Sequence, residues 1–207
     1  MPFPKPIDLL DVFVIIMSDI IDNEYKDNSA KIKKMVFAAL FAALIAVGAY
    51  LQIPFSPLGV PITLQTFFVL LAAVTLGKNW GTVCIIVYLL VGFIGFPVFS
   101  GGNSGIGILF GPTGGYLYSF IIAAFVVGYL SENTKKTPMA LFLAAFVGSM
   151  LILSIGTLHL ALFARIPLHI AFMTGFALFV PGDIIKSIAI AFVAAGVHQK
   201  VNFKNVS

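Results

Sequence analysis

Residues 138–164 read PMALFLAAFVGSMLILSIGTLHLALFA, with no Asp, Glu, Lys or Arg anywhere in the run. A helix rises 1.5 Å per residue, and about 20 apolar residues cross the ~30 Å hydrocarbon core of a bilayer. This run is long enough to span a membrane. Working outward from it, the same length criterion finds five more apolar runs, at roughly 35–51, 60–77, 80–99, 114–131 and 170–198, all uncharged but the last. Apart from Asp183 and Lys186 in the last run, the charges fall in the breaks. Residues 35–131 contain only Lys78, and residues 137–199 contain only Arg165, Asp183 and Lys186. Hydrophobic residues make up 60% of the 207 and charged residues 10%, against about 45–50% and about 25% in soluble globular proteins. A soluble fold of this size could not hide so much apolar surface. The expected fold is therefore an all-α integral membrane protein with six transmembrane helices. A nucleic-acid binder, a disordered chain and a water-soluble enzyme are excluded.

The net charge of +4 conceals an asymmetry. The first 30 residues carry six carboxylates against Lys5 and Lys26, so the remainder is strongly basic. With six spans, Lys31, Lys33, Lys34, Lys78, Lys135, Lys136, Lys200 and Lys204 fall on one side of the membrane and only Arg165 on the other. Basic residues in short connections mark the cytoplasmic face. Both termini are expected there. The chain divides into an N-terminal extension over 1–34, a six-helix membrane domain over 35–198 and a tail over 199–207. The extension is not a signal peptide, because Asp8 and Asp11 stand where a basic leader belongs. Its residues 7–22 form an acidic amphipathic pattern suited to a membrane surface.

Polar chemistry gathers on the opposite, outward side. Asp183 and Lys186 lie three apart on the last span and so share a helix face. Each charge costs about 2.5–3.5 kcal/mol at the bilayer centre, so neither should face lipid. Pro181 and Gly182 suggest that the helix restarts there, freeing N–H groups that favour an anion. A ligand site and a structural ion pair are the two readings. Thr63 and Gln65 open the second span at the same level, either for a ligand or for a bond between helices. The connection from Phe96 to Gly115 is rich in glycine, with Asn103, Ser104 and Thr113 as neutral hydrogen-bonding groups. It reads equally as a lid over an outward-facing cavity or as tight packing.

Other chemistry is missing. The glycine-rich stretch lacks the lysine of a phosphate loop. No histidine or cysteine stands at metal spacing, and no catalytic dyad or triad is present. No metal, cofactor or catalytic residue is expected. Along the first span, alanine recurs every four residues as Ala38/Ala42/Ala46 and Ala39/Ala43. Such rows let another helix approach closely, either within the bundle or from a partner protein.

Four blocks carry a family resemblance: Pro54 through Val60-Pro61-Ile62-Thr63-Leu64-Gln65, Tyr88 through Phe99, Gly111 through Leu117, and Pro181-Gly182-Asp183-Ile184-Ile185-Lys186. In that order they resemble the biotin-binding S components (BioY type) of energy-coupling-factor vitamin transporters. Phe96 replaces the leucine usual in one block. The resemblance implies high-affinity capture of biotin in an outward cavity and its uptake across the cell membrane. It also implies assembly with a transmembrane coupling protein (T component) and two ATPase subunits. It places the family's last-span Asp and Lys on Asp183 and Lys186, its loop polar residue on Asn103, and its alanine motif on Ala38 and Ala42. The residues themselves suit such a ligand: Lys186 as counter-charge, Asp183 as acceptor, Asn103, Gln65 and Thr63 as neutral partners, and Tyr88, Phe99 and Tyr116 as aromatic walls. An S component for another vitamin, an intramembrane enzyme and a membrane scaffold are the competing readings.

Overall fold

The computed structural model describes residues 31–53 and 60–200; the expectations placed on the N-terminal extension and the last residues lie outside them. Among the described residues, five helices are long and apolar enough to cross a membrane. They are α1 (Lys31–Tyr50), α2 (Gln65–Phe93), α4 (Gly114–Asn133), α5 (Pro138–Ala164) and a last, composite one over Leu168–His198. Short elements join them. Strands β1 (Gln52–Ile53) and β2 (Ile62–Thr63) pair antiparallel, Gln52 opposite Thr63. A 3-10 turn at Ser100–Gly102 and α3 (Ile106–Leu109) precede α4.

The spans expected at 60–77 and 80–99 correspond to two helical arms of α2, which break at Gly77. That residue has φ +80 and ψ −178, a backbone that side chains other than hydrogen rarely permit. The chain doubles back at this point. Gln65 and Tyr88 would lie about 34 Å apart along a straight helix, yet their side chains are 2.5 Å from one another. A Cβ at Gly81 would stand 2.9 Å from the Ala73 Cα, which is what antiparallel arms require. The corner fits against Gly128 of α4, where a Cβ would meet the Lys78 amide nitrogen at 2.4 Å. Lys78 also donates its amide to the Glu132 carboxylate, 3.0 Å away.

The ends of these two arms remote from Gly77 fall short of expectation. Residues before Gln65 pair with β1 instead of continuing the helix, since Pro61 removes an N–H and commits its neighbours to extended backbone. After Phe93 the helix stops at Gly95, with φ +107, and Pro97. The last span is also irregular. α6 (Leu168–Phe172) runs into a π-helical segment (Met173–Ala177) and then α7 (Val180–Lys200). Helix α5 keeps the expected bounds. Thr137 caps it by accepting from the Ala140 amide, Pro138 occupies the first turn, and Arg165 ends it in the left-handed region.

The two arms of α2 and helix α4 form the most buried part of the bundle. Ala38, Phe41, Ile45 and Ala49 turn α1 inward against that core, and Ala42 is half-buried beside them. Of the four alanines expected at a partner interface, Ala38 and Ala42 lie on the row turned toward the chain's own helices. Ala39 and Ala43 lie on the other, exposed face with Val36, Leu40 and Val47.

Candidate functional site

A cavity of about 400 Å³ opens among the ends of α2, α4, α5 and α7 remote from the Gly77 corner. That is within the range of small-molecule sites. Its apolar walls are Phe99, Tyr116, Leu117, Phe120, Ile152 and Phe179. Its polar groups come from five stretches of the sequence: Gln52; Thr63, Gln65 and Thr66; Ser100 and Asn103; Thr113; and Asp183 with Lys186.

The charged pair is joined directly. Lys186 Nζ donates to Asp183 Oδ1 at 3.0 Å and to Thr66 Oγ1 at 2.9 Å. Both side chains are withdrawn from solvent, at 13% and 3% exposure. The three-residue spacing on α7 puts them on one face, and the crossing with the start of α2 supplies the threonine. Helix α7 starts at Val180, one residue before Pro181, after a turn at Leu178 and Phe179 that follows the π segment. The Asp183 amide donates to Phe179 O at 3.0 Å, so it is not free to meet an anion.

Gln65 is held by a relay. Its Nε2 donates to Tyr88 Oη at 2.5 Å, and that hydroxyl donates to Val98 O at 3.0 Å. The amide is thus oriented with Oε1 unspent among the described residues. Tyr88 stands behind the cavity wall, edge-on to Phe99 at 5.7 Å between centroids. Tyr88, expected as an aromatic wall, bonds Gln65 from behind, and Phe99 lines the cavity. Phe99 fits because residue 92 is glycine, where a Cβ would come within 2.1 Å of the ring. Tyr116 presents its ring to the cavity while its hydroxyl is occupied by Gly175 O at 2.9 Å and Thr157 Oγ1 at 3.3 Å.

Asn103 belongs to a folded turn and not to an open lid. Its Nδ2 donates to Ser100 O at 2.7 Å, and its carbonyl accepts from the Phe99 amide. Ser100 in turn donates to Gln52 Oε1 at 3.2 Å, tying this turn to β1. Thr63 accepts from the Gln65 amide at 3.3 Å and so helps to start α2. The cavity brings together Asp183, Lys186, Asn103, Gln65, Thr63, Tyr116 and Phe99. Three polar lining residues, Gln52, Ser100 and Thr66, had not been singled out. For Thr66 the clue was its place next to Gln65 in a span otherwise apolar; for Gln52 it was the matching polar residue after α1.

Membrane-spanning helices around a cavity that is apolar in its walls and charged at one point define the geometry of a membrane-embedded small-molecule binding protein. The chain belongs to the BioY family, whose profile matches residues 23–203. It is 42% identical to the biotin transporter BioY of Thermotoga maritima over 78% of this chain and 94% of that one. It is 38% identical to biotin transporter BioY2 of Lactococcus lactis, covering 86% and 96%. The crystal structure of the S component for biotin from an ECF-type ABC transporter superposes with a TM-score of 0.78, at 28% identity over 86% of this chain and 96% of that one. The protein is a multi-pass protein of the cell membrane.

Proposed function

We propose that this chain captures biotin in the cavity at the end of α2, α4, α5 and α7 and serves as the substrate-binding subunit of an energy-coupling-factor transporter. The observation that carries the reading is the Asp183–Lys186–Thr66 cluster set in apolar walls, in a chain of the BioY family. Biotin offers one anionic carboxylate, a ureido ring with two N–H groups and a carbonyl, and an apolar body. Lys186 is the counter-charge for the carboxylate. Gln65 Oε1 and the second oxygen of Asp183 are acceptors for ring N–H groups, and Asn103 and Gln52 line the same space. Phe99, Tyr116 and Phe120 take the apolar body, where burial is worth roughly 25 cal/mol per Å².

The reading includes six membrane crossings, α2 contributing two by reversing at Gly77. Both termini then lie in the cytoplasm and the cavity faces out. It also includes a transmembrane coupling protein and two ATPase subunits as partners, since this sequence has no GxxxxGK[ST] motif of its own.

Calorimetry of the purified protein against a set of water-soluble vitamins tests the ligand. Saturable binding of biotin is expected, and its absence would end the proposal. Orientation is tested in a Cys84→Ala background, since Cys84 is the one cysteine. Ser104→Cys should react with an impermeant thiol reagent applied outside, whereas Thr134→Cys should react only in opened membranes. The reverse pattern would invert the topology.

Tyr88→Phe tests the relay behind the wall. Its ring can stay against Phe99 while Gln65 loses its acceptor, so biotin affinity should fall about 2- to 10-fold, the worth of one neutral hydrogen bond. Unchanged affinity would show that Gln65 needs no such support.

A further inference from the structure

We propose that Thr66 is a specificity-determining residue whose hydroxyl, together with Lys186, forms a two-donor clamp on the anionic oxygen of the ligand. The inference rests on the biotin-capture reading and assigns a role to a residue outside the charged pair.

An ammonium group has three N–H donors. Lys186 gives one to Asp183 and one to Thr66, which leaves one among the described residues. Lys186 lines the cavity, so the remaining donor serves that space. Because Thr66 Oγ1 accepts from a cation that has no lone pair to return, the threonine's own proton is not used in that bond. Threonine in a membrane helix commonly spends this proton on the carbonyl four residues earlier. Thr82, Thr134 and Thr174 all do so, to Lys78 O, Leu130 O and Ile170 O. Thr66 makes no such bond among the described residues, since position 62 belongs to β2 rather than to the helix.

Thr66 therefore brings an unspent O–H to the cavity, one 2.9 Å contact away from the ammonium. Two donors that close together select an acceptor oxygen carrying charge. They hold the neutral carbonyl oxygen of an amide or ester less strongly, because hydrogen bonds to a charged oxygen are roughly twice as strong as those to a neutral one. The same bond pins the ammonium between the carboxylate of Asp183 and the ligand, so the cation is shared and not lost to its internal partner.

The test uses the full-length protein and two ligands, biotin and biotinamide, titrated against wild type, Thr66→Val and Thr66→Ser. Valine keeps the shape and removes the hydroxyl; serine keeps the hydroxyl. Thr66→Val should weaken biotin roughly 3- to 10-fold, with a smaller loss for biotinamide, so that discrimination between the two shrinks. Thr66→Ser should restore both values to within about 2-fold. In a Lys186→Ala background, Thr66→Val should still weaken biotin, because its own donor is lost as well. Equal loss for both ligands, no rescue by serine, or no effect without Lys186 would each overturn the clamp. Failure of wild type to bind biotin would instead strike the reading beneath it.

Discussion

Lys186→Ala is expected to weaken biotin binding by roughly 10- to 100-fold while weakening biotinamide far less. A charge-assisted hydrogen bond is worth about 1.5–3 kcal/mol, and each 1.4 kcal/mol is a factor of ten. The same change orphans Asp183, which is 2% exposed and loses the cation 3.0 Å away. Removing one partner of a buried ion pair costs about 3–5 kcal/mol. A marked fall in melting temperature should therefore accompany the loss of affinity, and the two effects need separating. Lys186→Ala with Asp183→Ala removes both charges. It should recover much of the stability, yet it should not recover preference for the free acid over the amide. If biotin and biotinamide weaken equally in every variant, the pair is structural. If the double variant binds biotin as wild type does, the carboxylate is met elsewhere.

The clarity of this pair in the sequence has a physical origin. A charge in a long apolar run is costly wherever it points at lipid, so Asp183 and Lys186 announce an interior site without any structure. Helix α5 was legible for the same reason, as an uninterrupted apolar run with unambiguous ends. Thr66 carried no such signal. Threonine is nearly cost-free in a membrane helix because it can bond its own backbone, and only the crossing of α2 with α7 shows that this one does something else. Tyr88 was legible as buried and aromatic but not as a support, since whether a tyrosine lines a cavity or stands behind it depends on which neighbour fills the space. Here Gly92 lets Phe99 fill it. The corner at Gly77 was expected as a short charged connection at Lys78. The tightness of that turn, with Gly77 at positive φ against Gly128, depends on two glycines more than 50 residues apart and is a property of packing, not of either local sequence.

Tryptophan on α1 should separate its two alanine rows. Ala39 is exposed with Val36, Leu40, Ala43 and Val47 around it, while Ala38 is 6% exposed and packed into the bundle with Phe41 and Ile45. If the coupling protein seats a helix on the exposed row, the backbones approach closely only because alanine projects so little. Ala39→Trp or Ala43→Trp puts an indole into that contact and should abolish co-purification with the coupling protein. Biotin binding should stay near wild type, because no residue of α1 lines the cavity. Ala39 also lies about 16 Å along the helix from Tyr50, the end nearer the site. Ala38→Trp should behave differently, since overpacking an interior position costs about 1–3 kcal/mol or more. It should lower melting temperature and reduce binding and assembly together. Undisturbed co-purification in both Ala39→Trp and Ala43→Trp would move the docking surface to another helix. Loss of folding in Ala39→Trp would mean that this row packs within the protein as well.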